Sequence, residues 1–412
     1  MNSTSVYDLV VIGGGAAGFF GAVTFAAGSP GARVCILEKA AVPLGKVRIS
    51  GGGRCNLTHA CFDPAQLVQY YPRGARELRG AFTRFQPRDT IEWFESRGVP
   101  LKTESDGRVF PVSDRSENII ACLTSQAART GVEVRCLSPV SAVRRAAEGA
   151  FQVELRQGDF LSTRSLLLAS GGDRAGMALA GSLGHTLVPP VPSLFTFTIP
   201  DPRLSGLEGV SVPAAHLALP SARLDASGPL LITHWGLSGP AVLRLSAWGA
   251  RALHEAGYRM PLLVNWIPPH NPETILGRLN ELRAAESRRL VLAHSPLPDV
   301  PLRLWKALAS TAGVPETLTW ANLSRAQLTG LAEQLTRCRF EIQGKGQFKE
   351  EFVTCGGVAL SEVDFRSMQS RIFPGLYLAG EILDIDGLTG GFNFQSAWTT
   401  AWLAGRGIAN QS

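Results

Sequence analysis

The sequence predicts an α/β fold in which both ends of the chain build one domain around a parallel sheet, with a β-rich insert and a small helical insert between them. Three observations predict this fold. A glycine-rich turn joins an apolar strand to a small-residue helix near the N-terminus. A second glycine-rich segment follows a short apolar strand near the C-terminus. Between them, residues 188–202 are rich in proline, which is typical of a domain crossing.

The first predicted elements form a βαβ unit. Residues 7–12 are apolar and β-rich, and residues 16–27 are small and apolar, which predicts a strand and a closely packed helix. Residues 33–37 predict a second strand, which completes a unit of about thirty residues. The turn before the helix contains Gly13, Gly15 and Gly18. A Gly-x-Gly-x-x-Gly pattern in this position is typical of a Rossmann-type dinucleotide-binding domain.

Each glycine of the turn has a specific structural role. The first permits the tight turn, the second lets a pyrophosphate approach the backbone, and the third lets helix and strand pack closely. The start of the helix, which includes Ala17, offers free N–H groups to the phosphates. Glu38 follows about twenty residues later, where a carboxylate accepts hydrogen bonds from a ribose diol and repels a 2′-phosphate. We therefore predict that this turn, Glu38 and Lys39 bind a dinucleotide.

Three consecutive glycines at positions 51–53 are the second signal of a binding site. Such a run costs chain entropy and packs nothing, so it is expected where backbone presses against a ligand. Arg54 and Asn56 could then reach phosphate or ring atoms. Cys55 is either a thiol nucleophile or acid, or a small buried residue beside the cofactor. The predicted cofactor-binding residues of this region are Lys46, Ser50, Gly52, Gly53, Arg54, Cys55 and Asn56.

The following segments continue the first domain. Residues 115–130 predict a helix, residues 132–136 a strand, and residues 139–168 a strand meander. We place four residues of this part at the cofactor, one at the start of the meander and three where its last strand ends: Val140, Ser170, Gly171 and Gly172.

The middle of the chain predicts two inserts. Residues 194–265 alternate like strands, residues 271–338 have the 3.6-residue apolar period of helices, and strand character returns at 339–359. The predicted organisation has a first domain of residues 1–190 and 360–412, a β-rich insert of residues 191–270 and 339–359, and a helical insert of residues 271–338.

The C-terminal stretch is predicted to complete the site of the first domain. Gly380 and Glu381 stand at the end of a short apolar strand, where a carboxylate could bind a ribityl hydroxyl. Before the last helix stand four further predicted cofactor residues, Gly390, Gly391, Phe392 and Asn393. The first N–H groups of that helix would face a flavin pyrimidine carbonyl and stabilise negative charge on the reduced ring.

A site shared by both chain ends favours a flavoprotein. Proteins that enclose FAD commonly return to their first domain in this way, and nicotinamide enzymes rarely do. No second Gly-x-Gly-x-x-Gly pattern follows a strand in the middle of the chain. We therefore expect FAD as the held cofactor and NAD(P)H as a transient hydride donor.

Composition narrows the class of protein. A chain of 412 residues is too long for one ordinary core, and its seven scattered cysteines form no CxxC pair and no zinc spacing, which predicts reduced thiols and no metal. No apolar run of about 18 residues and no export signal is seen, so we expect a cytoplasmic protein without membrane contact. The net charge is +6, and all but six of the 40 basic residues are arginine. Because arginine binds phosphate in a bidentate manner, a nucleic acid or an anionic substrate stays open.

Over almost its whole length the chain resembles the BaiN/RdsA-like flavoproteins, also called YhiN-like or HI0933-type NAD(P)/FAD-dependent oxidoreductases. The resemblance rests on five segments: residues 12–18, Lys46 with residues 50–56, residues 233–240, residues 355–358 and residues 374–395. It implies an FAD domain of Rossmann type built from both chain ends, a β-rich insert and a helical insert within it. The segment Asp173–Ser182 differs, because many relatives carry a longer loop there, near the flavin.

The resemblance also implies an activity. Members of the family reduce a uridine C5=C6 bond in large-subunit ribosomal RNA, reduce steroid enones or oxidise small amines. We expect an FAD-dependent oxidoreductase that passes hydride from NAD(P)H to an electron-poor C=C, and the basic charge favours ribosomal RNA as the substrate. The alternatives are a small-metabolite oxidase or ene-reductase, and a weakly catalytic flavin-bound RNA-binding or assembly factor. A monomer is favoured.

Reduction of a C=C bond also needs a proton donor. The candidate catalytic residues are Cys55 and His234, although a structural role for His234 is the more favoured interpretation. His185 is a second isolated histidine, without a triad pattern in the sequence.

Overall fold

A computed structural model describes residues 6–146, 149–346 and 353–411. The chain divides into two compact units, which we call unit 1 and unit 2. Unit 1 combines Met1–Pro190 with Thr354–Ser412, and unit 2 is Val191–Val353. The predicted division of the middle of the chain into a β-rich and a helical domain stays a prediction.

The strands are, in chain order, β1 (Tyr7–Ile12), β2 (Val34–Leu37), β3 (Thr58–His59), β4 (Leu101–Thr103), β5 (Arg108–Pro111), β6 (Glu133–Arg135), β7 (Val140–Arg145), β8 (Phe151–Leu155), β9 (Phe160–Leu168), β10 (Leu187–Ser193), β11 (Phe197–Thr198), β12 (Ser211–Leu219), β13 (Leu224–Thr233), β14 (Gly236–Ser238), β15 (Met260–Asn265), β16 (Cys338–Ile342), β17 (Gly344–Lys345), β18 (Val353–Val358), β19 (Val363–Asp364), β20 (Gln369–Ser370) and β21 (Leu376–Leu378).

The α-helices are α1 (Ala16–Gly28), α2 (Gly45–Ile49), α3 (Pro64–Leu67), α4 (Ala75–Phe82), α5 (Pro87–Glu95), α6 (Glu117–Arg129), α7 (Arg174–Ser182), α8 (Pro240–Trp248), α9 (Ala250–Glu255), α10 (Pro272–Ala285), α11 (Leu302–Thr311), α12 (Arg325–Thr336) and α13 (Phe392–Ala409).

Unit 1 is organised around a parallel sheet. Its central strands lie in the order β21-β9-β1-β2-β6, and each neighbouring pair is parallel. The short β21 near the C-terminus therefore pairs with β9, which in turn pairs with β1 near the N-terminus. All residues of β1 except Asp8 are buried, as expected for a strand covered on both faces. The α/β class and the Rossmann-type domain built from both chain ends are confirmed.

Antiparallel strands extend this sheet. The predicted meander is present as β7 and β8, which pair antiparallel with each other, followed by β9. On the other side, β19 and β20 continue the sheet beyond β21. The separate sheet β3-β5-β4 lies within the same unit, and β10 and β18 form a two-stranded sheet where the chain leaves unit 1 and returns to it.

The two terminal helices of unit 1 pack closely through glycine. A Cβ atom at Gly405 on α13 would lie 2.7 Å from the carbonyl oxygen of Gly21 on α1. A Cβ atom at Gly21 would lie 2.6 Å from a methyl group of Leu167 on β9. Since real side chains do not approach this closely, these glycines allow the C-terminal helix to lie directly against the first helix and its sheet.

Unit 2 contains a seven-stranded antiparallel sheet with helices. The strand order is β16-β15-β12-β13-β14-β11-β17. The apolar periods predicted from sequence place Ile275, Leu279 and Leu282 on the buried side of α10, and Leu328, Leu331 and Leu335 on that of α12. The helices α10, α11 and α12 share one hydrophobic core with the strands.

One expectation for unit 2 was wrong in part. Residues 194–265 were expected to be strands throughout, but Pro240–Trp248 and Ala250–Glu255 are helices. Pro240 stands at the first helical position, where its missing N–H costs nothing. The small and leucine-rich residues that follow bury one side of α8 against β13. The buried positions of this segment therefore follow the helical period and do not fall at every second residue.

Candidate cofactor site

The turn between β1 and α1 has the geometry that its glycines predict. Gly13 has φ +112°, and a Cβ atom there would lie 2.5 Å from the carbonyl oxygen of Ala169. A Cβ atom at Gly18 would lie 1.9 Å from the carbonyl oxygen of Gly13, so helix and turn are in backbone contact. Gly15 has no atom within 4 Å of its Cβ position. The first and third glycines therefore serve packing, and the second opens space in front of the helix start.

The two ends of the chain meet at this turn. Parallel strands β1, β2, β9 and β21 end at one edge of the sheet, where ligands of open α/β sheets bind. Gly380 follows β21, and a Cβ atom there would lie 2.9 Å from Cβ of Ala17 in the first turn of α1. The Gly380 N–H donates to the Thr400 hydroxyl of α13 at 3.0 Å. The predicted N-terminal and C-terminal halves of the site are thus adjacent.

A cavity of about 520 Å³ lies at the same edge of the sheet. Apolar side chains of Ile12, Leu37 and Leu179 contribute to its walls. Five of its residues were predicted from sequence to bind the cofactor: Gly13, Glu38, Lys39, Val140 and Ser170. Its size and its mixed apolar and polar lining suit a small organic ligand or part of a larger one.

A buried hydroxyl group points to a ligand in this cavity. Ser170 lines the cavity, and its Oγ is buried without a hydrogen-bond partner among the described residues. Leaving such a group unpaired costs about 1–3 kcal/mol, which a ligand hydroxyl or phosphate would offset. Together with the open space before α1, this hydroxyl fits the adenosine diphosphate half of FAD.

Glu38 has a role in the protein as well as towards a ligand. Its Oε2 accepts a hydrogen bond from Gly14 N–H at 2.7 Å, and its Oε1 accepts one from Ala40 N–H at 2.8 Å. A carboxylate has about four acceptor positions, so two remain for a ribose diol. Glu38 therefore joins the end of β2 to the glycine turn while it can still accept hydrogen bonds from a ligand.

Two ion pairs stand around the site. Lys39 pairs with Asp173 at 2.6 Å, and both residues line the cavity. Lys46 pairs with Glu381, and this contact again links the two chain ends. A Cβ atom at Gly171 would lie 3.5 Å from the Glu381 carboxylate. The predicted residues Lys46, Gly171 and Glu381 are therefore brought together.

The neighbouring glycine and the segment after it complete this wall. A Cβ atom at Gly172 would lie 3.1 Å from Oγ1 of Thr354. The segment Asp173–Ser182, expected to be a short loop region, consists of Asp173 and helix α7, whose residues Gly176 and Leu179 line the cavity. Asp173 and Arg156 are cavity residues that sequence reasoning missed. Asp173 follows a strand end with two glycines, which is the signal that could have identified it.

The glycine triplet adopts a backbone that only glycine enters easily. Gly51, Gly52 and Gly53 have φ values of +57°, +69° and +85°. No atom lies within 4 Å of the Cβ positions of Gly52 and Gly53. The Ser50 hydroxyl donates a hydrogen bond to the Val47 carbonyl at 2.9 Å, and this bond fixes the start of the loop. The triplet thus leaves a stretch of open backbone, as expected where a ligand approaches closely.

Arg54 does not extend freely towards this open backbone. Its guanidinium forms an ion pair with Glu104 at 2.7 Å and a longer one with Asp114 at 3.5 Å. It also stacks on the ring of Phe110, 4.0 Å from the ring centroid. These contacts hold the Arg54 side chain over the β4–β5 hairpin. Contact of Arg54 with a cofactor stays a prediction, and it would require these ion pairs to rearrange.

Cys55 is fully buried beside the triplet. It has φ +61°, a left-handed conformation that is uncommon for a residue with a side chain. Burial raises the pKa of the Cys55 thiol to about 12, while a hydrogen bond with Ser50 acts in the opposite direction. The thiol is therefore protonated at neutral pH, which suits an acid or a structural residue better than a thiolate nucleophile.

The C-terminal glycines press against β3. A Cβ atom at Gly391 would lie 2.5 Å from the backbone of Thr58, and the helix α13 begins at the next residue. The Asn56 amide lies between the Gly391 N–H at 3.0 Å and the Thr58 carbonyl oxygen at 3.1 Å. A Cβ atom at Gly390 would lie 2.9 Å from the ring of Phe392. The predicted residues Asn56, Gly390 and Gly391 are therefore neighbours, although more than 300 residues separate them in the sequence.

Phe392 and Asn393 fix the start of α13 and the loop before it. Phe392 is buried, and its ring contacts both Tyr70, at 4.3 Å between ring centroids, and His59, at 4.7 Å, in a cluster of three rings. The Asn393 amide accepts from the Gly387 N–H and donates to the Gly387 carbonyl, both at 2.8 Å. Both side chains thus support the helix start from within the protein, and any ligand contact would come from the backbone.

A buried ion pair that the sequence did not reveal holds the same loop. Arg73 donates two hydrogen bonds to Asp386, whose side chain is fully buried. Such a pair, in bidentate geometry, fixes the loop before α13 to the segment that precedes α4. No local pattern around Arg73 indicates this partner, which is far away in the sequence.

The second catalytic candidate lies in the other unit. His234 belongs to unit 2, and its side chain is 83% exposed, with Nδ1 3.9 Å from Glu208. Cys55 belongs to unit 1. The structure does not bring the two candidates into one described unit, and the role of each stays a prediction.

His185 was expected to be isolated, but it contacts two polar side chains. Its Nδ1 lies 2.9 Å from Oε2 of Glu362, and its Nε2 lies 2.9 Å from Oγ of Ser370. The order is that of a Ser-His-acid triad. However, the Ser370 oxygen already accepts N–H groups of Ile372 at 3.2 Å and Phe373 at 2.8 Å, and the residue is buried. The Ser370 oxygen therefore caps a turn, and its contact with the buried His185 is structural.

Neither a metal-binding cluster nor a membrane-spanning helix is present in the part of the chain that the structure describes. No group of three or more His, Cys, Asp or Glu side chains there is arranged to hold a metal ion. Within residues 6–146, 149–346 and 353–411, no helix is long and apolar enough to cross a membrane.

Comparison with known proteins gives a consistent family. The model of the HI0933-like protein Rossmann domain matches residues 7–407. The chain is 30% identical to a ribosomal RNA dihydrouridine synthase of Escherichia coli, over 98% of each chain. It is also 30% identical to a 3-dehydro-bile acid delta(4,6)-reductase of Clostridium scindens, over 97% of this chain and 98% of the other.

Among solved structures, the fold is similar to that of a 3-ketosteroid-delta4-(5alpha)-dehydrogenase from Rhodococcus jostii. The TM-score is 0.53 at 15% identity, and the match covers 99% of this chain and 98% of the other. At this identity the likeness concerns the fold, which agrees with the sheet order and the chain-end convergence described above.

Proposed function

This chain belongs to the family of HI0933-like proteins with a Rossmann domain, and from that premise we propose its reaction. It is an FAD-dependent oxidoreductase that takes hydride from NAD(P)H and reduces an electron-poor C=C bond. The substrate is a uridine of large-subunit ribosomal RNA, and the place of action is the cytoplasm.

The observation that carries the cofactor assignment is the meeting of the two chain ends at one sheet edge. Ala17 in the first turn of α1 lies against Gly380 after β21, beside a cavity lined by the Ser170 hydroxyl, which has no hydrogen-bond partner among the described residues. A dinucleotide bound there would place its pyrophosphate at the start of α1. Its other half would extend towards the open backbone of Gly52 and Gly53 and the start of α13.

The bound flavin supplies the redox chemistry, by accepting hydride from NAD(P)H and passing it to the substrate. The residues of this chain bind and orient. Glu38 would accept hydrogen bonds from the adenosine ribose, and the Lys46–Glu381 pair would bind ribityl hydroxyl groups. The N–H groups at the start of α13 would face the pyrimidine edge and stabilise negative charge there.

Reduction of a C=C bond also consumes a proton. Cys55 keeps its proton at neutral pH because burial raises the pKa of its thiol, so it can serve as an acid if the substrate reaches it. His234 is exposed and could exchange protons with solvent. The rate at which reduced flavin reduces the substrate, measured in the single variants Cys55→Ala and His234→Ala, distinguishes the two.

Two features support RNA as the substrate. A relative named ribosomal RNA dihydrouridine synthase matches the whole chain at 30% identity. The chain carries a net charge of +6, most of it from arginine, which favours an anionic partner.

A second candidate function follows from the other relative. The bile acid reductase is equally similar at 30% identity and reduces a small conjugated substrate according to its name. Reduction of a small-molecule enone at the same flavin is therefore the alternative, and it needs no RNA contact.

The experiment has two steps. Purified protein should be yellow or take up FAD, and anaerobic NADH or NADPH should bleach the flavin absorbance; a protein that stays colourless with added FAD contradicts the cofactor assignment. Dihydrouridine in large-subunit ribosomal RNA is then measured in a deletion strain and in the complemented strain. Loss and recovery of one dihydrouridine support the RNA substrate, whereas unchanged content rejects it and favours the small-molecule alternative.

A further inference from the structure

A second cavity of unit 1 lies away from the cofactor site. It has a volume of about 240 Å³ and lies between the end of α1, the end of α5 and the second half of α13. Its polar and aromatic walls are Trp93, Arg97, Trp402 and Arg406, and we call it the Arg-Trp cleft. Trp402 follows the first residue of α13 by ten positions, so the cleft lies about 15 Å along the helix from the cofactor end.

The two arginines of the cleft are held by aromatic rings. Arg97 stacks on Trp93 at 4.1 Å from the ring centroid, and Arg406 lies over Trp402 at 6.0 Å. Arg97 also donates to the Trp93 carbonyl at 2.9 Å and to the Ser96 hydroxyl at 3.2 Å, which fixes its direction. Both arginine residues are exposed.

No carboxylate balances these charges. None of the described residues that line the cleft is acidic, and neither Arg97 nor Arg406 forms an ion pair in the part of the chain that the structure describes. Burial lowers the pKa of the Arg97 guanidinium, which means that part of this cation has lost water without gaining an anion. An anionic ligand would offset that cost.

The two indole rings form a fixed platform. Trp93 packs inwards on Phe20 and Phe94, each at 4.7 Å between ring centroids. Trp402 stacks on Phe85 at 5.3 Å. The Arg97 guanidinium covers the outer face of Trp93, and Arg84 and Arg406 lie near Trp402 at 5.9 and 6.0 Å. An incoming base would therefore stack on these anchored guanidinium planes and on the exposed part of Trp402, with little loss of side-chain entropy.

From this arrangement we propose that the Arg-Trp cleft binds a nucleotide. The base stacks on the indole and guanidinium planes, and the phosphate is neutralised by Arg97 and Arg406. The C-terminal end of α1 borders the cleft at Gly28, and its carbonyl groups repel an anion, so the phosphate lies on the arginine side.

The nucleotide is one unit of the RNA substrate, an assignment that rests on the proposed function. At about 3.4 Å per stacked nucleotide, a separation of about 15 Å corresponds to four or five nucleotides. Because α13 is largely buried, a strand must follow the protein surface, so this count is the smallest number of nucleotides that can join a target uridine at the flavin to the cleft. A combination of stacking aromatic residues and unpaired arginine is typical of proteins that bind single-stranded RNA.

The test uses holoenzyme and a fluorescein-labelled oligouridylate of about 12 nucleotides. The double variant Arg97→Glu with Arg406→Glu should weaken binding at least about tenfold and lower the slope of log affinity against log salt by about 0.7, for the one phosphate that the two arginines neutralise. The double variant Arg97→Lys with Arg406→Lys should keep the salt slope and lose only the stacking part of the affinity.

A matched control separates the cleft from net charge. Arg144→Glu with Arg164→Glu makes the same charge change on exposed side chains of β7 and β9, which are 70% and 76% exposed. Equal binding by the cleft variant and this control would overturn the proposal. Binding of uridine monophosphate as tight as that of the oligonucleotide would overturn the assignment to an RNA strand. Anionic phosphatidylserine vesicles that bind through the cleft while the oligonucleotide does not would overturn it too.

A failure of the proposed function can be distinguished from a failure of the nucleotide-site proposal. All variants should hold FAD and be bleached by NAD(P)H like the unaltered protein, because the cleft is outside the cofactor cavity. Oligonucleotide binding that depends on the cleft, in a protein that forms no dihydrouridine in ribosomal RNA, would reject the substrate and leave the nucleotide site standing.

Discussion

Glu38→Gln tests how the cofactor site is built. The carboxylate accepts one backbone N–H on each oxygen, from Gly14 at 2.7 Å and from Ala40 at 2.8 Å. A glutamine amide has a single oxygen, so its NH2 group must face one of these two N–H donors. The substitution therefore removes one charge-assisted hydrogen bond and leaves a donor unpaired, which costs about 1.5–3 kcal/mol.

The number of free acceptor positions on residue 38 also gives the effect of Glu38→Gln on FAD affinity. Two acceptor positions of the carboxylate remain for the ribose diol, and the amide oxygen, with one position occupied, keeps one. Loss of one ribose hydrogen bond costs about 1.4 kcal/mol or slightly less, which is about a tenfold increase in the Kd for FAD. Disorder of the glycine turn would add to this value.

Two measurements check this prediction. Thermal unfolding of apoprotein should shift down by about 3–12 °C, at 2–4 °C for each kcal/mol. Titration of the apoprotein with FAD, followed by flavin fluorescence, should give the weaker Kd. Glu255→Gln, on an exposed side chain of α9 in unit 2, is the control and should change neither value. A Glu38→Gln protein with unaltered unfolding temperature and Kd would refute the role of the carboxylate.

Three further predictions concern packing, charge and ionisation. Gly18→Ala should abolish FAD binding, because the new Cβ would lie 1.9 Å from the carbonyl oxygen of Gly13; retained binding in an FAD titration would contradict the packing argument. Asp386→Asn should lower the free energy of unfolding by about 3–5 kcal/mol, since a neutral amide cannot form the buried bidentate ion pair with the Arg73 guanidinium. Burial raises the pKa of the Cys55 thiol from 9.0 to about 12, so its contribution to stability is complete below pH 9 and is lost as the pH rises through 12. At pH 8, a thiol reagent with mass-spectrometric readout should therefore modify native Cys55 far more slowly than the unfolded chain.

Controls for these predictions come from groups of the same unit. Asp8→Asn removes the half-buried partner of the exposed Arg164, at 3.1 Å. The new amide oxygen can still accept the Arg33 N–H that Asp8 accepts at 2.8 Å, so the substitution should cost less than about 1 kcal/mol. Unfolding energies that are equal for Asp386→Asn and Asp8→Asn would contradict the importance of the buried pair. Rapid modification of native Cys55 at pH 8 would show that the thiol is accessible and ionised.

The Rossmann-type unit was predictable because its signals are local. Residues 7–37 contain a strand, a glycine turn, a helix and a second strand within one short stretch, and hydrophobic periodicity and glycine spacing determine each. Helices α10 and α12 were predictable for the same reason, since Ile275, Leu279 and Leu282 repeat at the helical period.

Helices α8 and α9 were not predictable in this way. Their sequence, from Pro240 to Glu255, is short and rich in small and apolar residues, so its period does not separate a buried helix from a strand. The contact with β13 decides the outcome, and that contact is not visible in the local sequence.

Several site residues depend on partners that are distant in the chain. The neutralisation of Arg54 by Glu104, and the ion pair of Arg73 with Asp386, join segments about 50 and more than 300 residues apart. Neither residue carries a local sign of its partner. The same holds for His185, whose contacts with Glu362 and Ser370 bridge more than 170 residues.

The sequence by itself determined the cofactor class, because backbone shape at a glycine turn and the position of Glu38 follow from local residues. The sequence also predicted that the two chain ends share one site. Only the tertiary structure shows how they meet, through the parallel pairing of β21 with β9 and of β9 with β1. The Arg-Trp cleft likewise exists only when α1, α5 and α13 are packed together. Local residues specify conformation, whereas the meeting of distant side chains is specified by sheet order and helix packing.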